Sequence, residues 1–239
     1  MPRDKETLGT FYGIGVGPGD PELLTVKAIR AIEKADIIIA PKTEKKEGSV
    51  ALTIAKPYLQ KNVEIVYQVF PMVKNFSEDT DAWQENAAEI DGFLHDAKNV
   101  AFLTLGDPMF YSTYIYVHRL LKERGAKIVT VPGIPAFAAI GDLLGRSVAE
   151  GNEILTIIPA TAPQEKITAA LSAADNAVLM KVYRNFAQVA DMLEANAFLD
   201  DAVLVSRCGL DDEQKITDIR AHKNEKLNYL STILARKRR

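Results

Sequence analysis

Short β-rich runs alternate with helical stretches along the first half of the chain, and this alternation limits the fold more than any other feature. Apolar and β-branched residues predict strands at residues 10–14, 36–40, 63–70, 100–105 and 127–131. Apolar residues recur at helical spacing over residues 21–35, 49–59, 80–95 and 112–124. This order is typical of βαβ units on a parallel sheet. We therefore expect an N-terminal α/β domain with a doubly wound parallel sheet.

Two prolines flank a glycine in Pro132–Gly133–Ile134–Pro135, a segment that should end the fifth strand and turn the chain. We place a domain boundary there, between residues 1–133 and 134–239. The pattern then resumes, with strands predicted at 154–158, 177–182 and 202–206 and helices at 163–173 and 186–195. Residues 227–235 could form a helix or a strand, and alternating Thr, Ile and Tyr favour an antiparallel strand. The second α/β domain should therefore contain a mixed sheet.

Charge and cysteine content exclude several classes of protein. The chain has 29 Lys and Arg against 32 Asp and Glu, a net charge of −3 that is unlike a duplex-binding domain, so we expect no nucleic-acid partner. Its single cysteine, Cys208, allows no internal disulfide and indicates a reducing, cytoplasmic compartment. Residues 1–12 show no secretion signal, and no apolar run approaches the roughly 20 residues that span a bilayer. The three histidines are too scattered for a metal site.

A glycine-rich segment, GIGVGPGD at residues 13–20, joins the first predicted strand to the first helix. Its glycine spacing breaks the dinucleotide fingerprint, and the helix begins with Asp20, Pro21 and Glu22 where a P-loop has Lys and Ser or Thr. Asp20 should cap the helix, with Pro21 in its first turn. The segment is either a ligand-binding turn that disfavours phosphate or simply a tight connection between strand and helix.

Two more special turns follow the fourth and fifth strands, Gly106–Asp107–Pro108 and Pro132–Gly133–Ile134–Pro135. Ligands of open α/β sheets bind at the carboxyl ends of the strands, so three such turns on one edge indicate a site. Tyrosines close behind the second turn, Tyr111, Tyr114 and Tyr116, offer flat surfaces with polar tips or else pack against the sheet. Neither a Gly-x-Ser-x-Gly elbow nor an activated cysteine is visible, so we expect chemistry without a protein nucleophile.

These residues resemble a known family. The segments GIGVGPGDPELLT (13–25), LTLGDPMF (103–110) and VPGIPA (131–136) are similar in order and spacing to the tetrapyrrole methylases, class III methyltransferases that depend on S-adenosylmethionine. The resemblance covers essentially the whole chain. Within the family, GDPMFYSTYIY (106–116) resembles the subgroup that methylates C20 of precorrin-2 or cobalt-factor II on the route to cobalamin.

The resemblance implies two α/β domains with the cofactor in a cleft between them, a tetrapyrrole substrate and a homodimer. It also implies a set of cofactor contacts, in which many relatives have Ser or Thr in place of Pro135. These contacts are Pro18, Leu105, Gly106, Asp107, Phe110, Pro135, Ala136, Val182 and Gly209.

Methyl transfer fits residues of this kind, because a sulfonium is already an activated donor and the protein mainly aligns the reactants. Asp107 is our candidate catalytic residue, as general base for the proton that leaves the methylated carbon. It is alternatively a turn carboxylate bonded to backbone amides or to the cofactor. Tyr111 or Tyr114 would orient the macrocycle. Methylation of another tetrapyrrole carbon and a non-catalytic nucleotide-binding module stay open as alternative functions.

An early corrinoid precursor carries several carboxylates, so this slightly acidic protein needs local cations to bind it. The candidates lie near predicted strand ends or turns in the second half. They are Arg146, Lys181, Arg184 and Arg207.

Overall fold

The computed structural model describes residues 8–42, 48–70 and 80–238. The chain divides into two compact units, Met1–Pro135 and Ala136–Arg239, and the described residues of each form a five-stranded sheet. Residues 1–7, which hold most of the segment where the sequence predicts no secretion signal, lie outside the described residues.

The sheet of the first unit is entirely parallel. Its strands are β1 (Thr10–Gly15), β2 (Ile37–Lys42), β3 (Glu64–Val69), β4 (Val100–Thr104) and β5 (Lys127–Val131). Its helices are α1 (Val26–Glu33), α2 (Val50–Ala55), α3 (Thr80–His95) and α4 (Tyr114–Glu123). The strand order is β3-β2-β4-β1-β5, and every neighbouring pair runs in the same direction. The predicted doubly wound parallel sheet is confirmed.

Helices cover the faces of this sheet, so its central strands are apolar on both sides. In β2, Ile37, Ile38, Ile39 and Ala40 are all buried, as expected of a strand in a parallel sheet. On the face toward α3 and α4, aromatic rings form the core. The Phe11 ring stacks on Tyr114 with 5.8 Å between ring centroids.

The first predicted helix, residues 21–35, is wrong as a single element. The structure has a 3₁₀ turn at Pro21–Leu23 and begins α1 only at Val26. Two side chains cap successive helical segments here. Asp20 Oδ1 accepts from the N–H of Glu22 at 2.8 Å, and Thr25 Oγ1 accepts from the N–H of Ala28 at 3.1 Å. The Asp20 cap is as predicted, and the Thr25 cap starts a second helical segment.

The second predicted helix, residues 49–59, is also shorter than expected. Helix α2 ends at Ala55, and a 3₁₀ turn follows at Lys56–Tyr58. Pro57 has no N–H to donate to the preceding turn, which explains why regular α-helix stops there.

The sheet of the second unit is mixed. Its strands are β6 (Leu155–Pro159), β7 (Asn176–Met180), β8 (Ala202–Ser206), β9 (Gln214–Ile216) and β10 (Ser231–Arg236). Its helices are α5 (Ala136–Leu143), α6 (Gln164–Ser172), α7 (Phe186–Ala195) and α8 (Ile219–His222). In the order β6-β7-β10-β8-β9, β6 and β7 are parallel, whereas β10 is antiparallel to β7 and β8. The mixed sheet and its last antiparallel strand are confirmed.

Three elements of this unit were not predicted: α5, β9 and α8. Helix α5 begins directly after Pro135, where the Pro-Gly-Ile-Pro pattern predicts the end of a strand and a turn of the chain. Proline is also compatible with a helix start, because the first N–H groups of a helix have no intrahelical partner. Strand β9 and helix α8 are only a few residues long, too short for a periodic apolar pattern to appear.

Within the described ranges, no helix combines the length and the apolar character that crossing a bilayer requires. The same residues contain no group of three or more His, Cys, Asp and Glu side chains placed to hold a metal ion.

Candidate functional site

The turns after β1 and β4 are hydrogen bonded to each other. Because the strands of the first sheet are parallel, β4, β1 and β5 end side by side at one edge. The N–H of Gly106 donates to the carbonyl of Gly17 at 2.8 Å, and the N–H of Gly17 donates to the carbonyl of Gly106 at 3.3 Å. Two of the three special turns are therefore joined through their backbones.

The third turn packs against the other two through glycine. A Cβ atom on Gly133 would lie 2.2 Å from the carbonyl oxygen of Gly106 and 2.7 Å from Cα of Gly15. A Cβ atom on Gly15 would lie 2.5 Å from the backbone nitrogen of Gly133. Backbone atoms cannot yield as a flexible side chain can, so these contacts require glycine at both positions. The structure brings the three turns together as predicted.

Tyr114 does not face a ligand, and the expectation that it orients a macrocycle is wrong. Its side chain is completely buried, and its hydroxyl is hydrogen bonded to Thr130 Oγ1 at 2.6 Å. A Cβ atom on Gly13 would lie 2.0 Å from Cε2 of the Tyr114 ring. Gly13 is therefore required to admit this ring into the core.

Tyr111 is placed differently. It is 43% exposed, has a left-handed backbone with φ +50°, and its ring centroid lies 4.8 Å from that of Phe110. Partial burial raises the pKa of the Tyr111 hydroxyl. Of the tyrosines proposed to meet a macrocycle, Tyr111 is the one that the fold leaves accessible.

Both carboxylate oxygens of Asp107 accept hydrogen bonds from backbone amides. Oδ1 accepts from the N–H of Met109 at 2.8 Å, and Oδ2 accepts from the N–H of Gly133 at 3.0 Å. The side chain thus orders its own turn and ties it to the turn after β5. This geometry fits the role of turn carboxylate, and the role of general base stays a prediction.

Gly106 has a left-handed backbone with φ +70° and open space beside it. The nearest atoms to a Cβ built there are the Ile134 carbonyl oxygen and Pro135 Cα, both at 3.9 Å. Pro18 is buried directly after Gly17, and Leu105 is half-buried directly after β4. These predicted cofactor contacts therefore lie along the joined turns of the first unit.

Thr104, the last residue of β4, is a site residue that the sequence did not predict. Its residue partner on β1 is Gly15, and its hydroxyl oxygen is buried without a hydrogen-bond partner in the described part of the chain. Buried polar groups are rarely left in this state. In the sequence Thr104 is an ordinary β-branched strand residue, so its buried, unpartnered hydroxyl can be recognised only in the folded structure.

Comparison with known proteins adds to this geometry. Residues 10–221 match the family model described as Tetrapyrrole (Corrin/Porphyrin) Methylases. This chain is a tetrapyrrole methylase. The family resemblance seen in the three turns is therefore confirmed.

The methylase is similar to two C20-methyltransferases over nearly its whole length. It is 36% identical over 232 residues to the cobalt-precorrin-2 C(20)-methyltransferase of Salmonella typhimurium, which covers 96% of this chain and 97% of the relative. It is 29% identical over 235 residues to the precorrin-2 C(20)-methyltransferase of a Sinorhizobium species, covering 95% of each. Its fold matches the Thermus thermophilus uroporphyrin-III C-methyltransferase solved with S-adenosylhomocysteine, with a TM-score of 0.69, 19% identity, and coverage of 95% of this chain and 97% of that one.

The methyl donor of the methylase is S-adenosylmethionine. Three observations at the turns fit this molecule: the open left-handed backbone at Gly106, the unpartnered hydroxyl of Thr104, and a helix start at Asp20 that disfavours phosphate. A donor without phosphate needs backbone hydrogen bonds and shape more than a basic clamp.

The remaining predicted cofactor contacts lie in the second unit. Ala136 is the first residue of α5. Strands β7 and β8 are both antiparallel to β10, so they end at the same edge of the second sheet, and Val182 and Gly209 follow them there. Val182 is buried, whereas Gly209 is exposed with φ +75° and donates its N–H to Glu213 Oε2 at 2.7 Å.

The four candidate substrate cations have different surroundings. Arg146 donates to both the carbonyl and a carboxylate oxygen of Asp201 at 3.0 Å, and Arg207 forms an ion pair with Asp212. Lys181 and Arg207 have left-handed backbones, with φ +60° and +56°. That conformation costs a residue other than glycine roughly 1–2 kcal/mol.

Cys208 follows Arg207 at the same edge and is buried. Burial, followed by the nearby Glu213 carboxylate, raises the pKa of its thiol to about 11. The thiol is therefore protonated near neutral pH and is not a nucleophile. This agrees with a methyl transfer in which the protein supplies no covalent intermediate.

Proposed function

We propose that this methylase transfers a methyl group from S-adenosylmethionine to C20 of precorrin-2 or cobalt-factor II in cobalamin biosynthesis. The observation that carries the proposal is the joined edge of the first sheet, where the turns of Gly17, Gly106 and Gly133 meet and leave Gly106 open. The near full-length likeness to the Salmonella C20-methyltransferase supports the choice of carbon.

The methyl donor would be held mainly by the turns. The proposed contacts are Pro18, Leu105, Gly106, Asp107, Phe110, Pro135, Ala136, Val182 and Gly209. When bound, the donor supplies a sulfonium methyl group that needs no further activation. The chain positions the acceptor carbon and keeps the joined turns rigid, and alignment of this kind can supply roughly 7–11 kcal/mol.

A proton must leave the ring carbon after it is methylated. We propose Asp107 as its acceptor, with the N–H groups of Met109 and Gly133 orienting the carboxylate. The same two hydrogen bonds also support the alternative, in which Asp107 only shapes the turn. A single variant, Asp107→Asn, separates these roles, as set out in the Discussion.

Calorimetry tests the donor site. We expect the protein to bind S-adenosylhomocysteine with a stoichiometry of one and not to bind ATP or NAD. Gly106→Val should abolish this binding, because its side chain would occupy the open space at a left-handed position. Micromolar ATP binding without any response to S-adenosylhomocysteine would favour a non-catalytic nucleotide-binding module instead.

Mass spectrometry tests the acceptor. Purified protein is incubated anaerobically with S-adenosylmethionine and either precorrin-2 or cobalt-factor II. The proposal expects one added methyl group on at least one of them, and the preferred macrocycle shows whether the natural substrate already contains cobalt. Transfer only to a tetrapyrrole at another stage of the pathway would overturn the choice of substrate.

We further propose that the enzyme is a cytoplasmic homodimer. A single cysteine supports the reducing compartment, and the family resemblance supports the dimer. Light scattering checks the dimer, and a particle of one chain mass at working concentration would contradict it.

A further inference from the structure

Five residues other than glycine have left-handed backbones in the described part of the chain. They are Ala97, Tyr111, Lys181, Ala197 and Arg207. Ala97 and Ala197 follow α3 and α7, and the residue after each one closes the hydrogen bond that typically ends a helix. Lys181 and Arg207 instead follow strands, where helix termination cannot account for the conformation.

Lys181 and Arg207 flank one strand of the second sheet. Lys181 follows β7 and Arg207 follows β8, on either side of the start of β10. The N–H of Arg207 donates to the carbonyl of Leu230, just before β10, at 2.8 Å. Two strand spacings separate the backbones of the two cationic residues, which is about 10 Å.

Aromatic side chains lie at the same edge. Tyr229, just before β10, is 44% exposed, and its ring centroid lies 5.0 Å from that of Tyr183 in an edge-to-face contact. The Arg184 guanidinium lies 5.3 Å from the centroid of the Tyr183 ring. The edge therefore combines cations with flat apolar surface, the two features that a conjugated polycarboxylate requires of its site.

Glycine would adopt the left-handed backbone conformation of Lys181 and Arg207 without strain, so the side chains at these two positions are kept at a cost in stability. Strained residues that no helix end explains cluster at functional sites. The ion pair of Arg207 does not compete strongly with a ligand, because the side chain of its partner Asp212 is 61% exposed and exposed pairs are weak. Burial lowers the pKa of Lys181, so its charged form gains from a nearby carboxylate.

We propose that Lys181 and Arg207 bind carboxylates of the macrocyclic substrate, with the rings of Tyr183 and Tyr229 contacting the macrocycle between them. This inference rests on the proposed function, which it deepens by naming the residues that recognise the substrate.

Glycine substitutions test the proposal. Lys181→Gly and Arg207→Gly remove the charge and also relieve the backbone, and Ala97→Gly and Ala197→Gly relieve the same strain far from any proposed contact. We expect all four variants to melt at or above the wild-type temperature. Only the first two should raise the KM for the macrocycle that the wild-type protein methylates, precorrin-2 or cobalt-factor II, each by about tenfold, and make that KM less sensitive to salt.

Charge-keeping variants separate recognition from conformation. Lys181→Arg and Arg207→Lys should keep the KM within about threefold of wild type, and all variants should bind S-adenosylhomocysteine as wild type does, within the same margin. Wild-type KM values in both glycine variants at low salt would overturn the proposal. So would an equal loss of S-adenosylhomocysteine binding in the glycine and charge-keeping variants, because it would assign both residues to the conformation of the turns.

Failure of the proposed function gives a different result. If the wild-type protein does not methylate precorrin-2 or cobalt-factor II, the reaction is misassigned. Direct binding of precorrin-2, followed by its absorbance, then decides the role of the cations: weaker binding by both glycine variants supports it, and unchanged binding contradicts it.

Discussion

Replacing the buried hydroxyl of Thr104 by a methyl group should stabilise the free methylase. A buried polar group without a hydrogen bond costs about 1–3 kcal/mol, and valine has nearly the same shape as threonine. The hydroxyl oxygen of Thr104 is buried and has no partner among the residues that the structure describes. We therefore expect Thr104→Val to raise the free energy of unfolding by about 1 kcal/mol, at the low end of that range. For a chain of this length the melting temperature should rise by about 2–4 °C.

Thr130 provides the matched control. Its hydroxyl is hydrogen bonded at 2.6 Å to that of Tyr114, which is completely buried. Thr130→Val removes this partner and leaves a buried phenol unsatisfied, so it should lower the free energy of unfolding by about 1–3 kcal/mol. The same chemical change is thus predicted to have opposite signs at two positions of one sheet.

Denaturant unfolding followed by tryptophan fluorescence measures both effects. Trp83, the single tryptophan of the chain, is buried in the core of the first unit, which also holds both threonines. The signal therefore reports on the unit in question. Destabilisation of Thr104→Val by 1 kcal/mol or more, similar to Thr130→Val, would refute the reasoning, because it would mean that the Thr104 hydroxyl is satisfied in solution, for instance by a buried water (about one per 27 residues).

Three further predictions concern the turns and the cysteine. Gly133→Ala should abolish S-adenosylhomocysteine binding in calorimetry, because its Cβ would lie 2.2 Å from the Gly106 carbonyl oxygen. The control is Gly92→Ala on helix α3, where a Cβ would have no atom of the described residues within 4 Å. This variant should bind S-adenosylhomocysteine normally and gain about 0.5–1 kcal/mol of stability. In Asp107→Asn the amide NH₂ must meet one of two backbone N–H donors, so S-adenosylhomocysteine binding should weaken about tenfold whichever role Asp107 has. Turnover at saturating S-adenosylmethionine separates the roles: it should stay within about tenfold of wild type if Asp107 only shapes the turn, and fall by about 100-fold or more if Asp107 is the general base. With a thiol pKa of about 11, Cys208 should react slowly with a thiol reagent at pH 7 in the folded protein and rapidly in urea; equal rates would contradict its burial.

The interior strands of both sheets could be predicted because they are largely apolar runs. The predicted span 202–206 coincides with β8, and the segment 36–40 overlaps β2, whose buried isoleucines are visible in the sequence. Helices were less predictable where side chains compete with the backbone. Thr25 reads as an ordinary helical residue, and only its hydrogen bond to the N–H of Ala28 reveals a second cap.

The candidate site likewise has features that the sequence predicts and features that it does not. Its glycines are evident in the sequence, but their separate reasons are not: Gly13 admits the Tyr114 ring, whereas Gly15 contacts the backbone of Gly133. Tyr114 follows a turn that was predicted to bind a ligand, so its side chain was expected to contact the ligand. Its ring instead occupies the space beside Gly13 in the core. Whether the Thr104 hydroxyl has a hydrogen-bond partner depends on the residues that the fold packs around it, so no local sequence pattern could predict that it has none among the described residues.

The central claim is that the joined turns serve methylation of C20, and the position of the new carbon tests it most directly. The purified methylase is given S-adenosylmethionine labelled with ¹³C in the methyl group together with precorrin-2, and the product is examined by NMR. We predict a single enriched methyl signal whose couplings place it on C20. A parallel reaction contains cobalt-factor II in place of precorrin-2. Enrichment at any other ring carbon, or no enrichment in either reaction with protein that binds S-adenosylhomocysteine, would contradict the account.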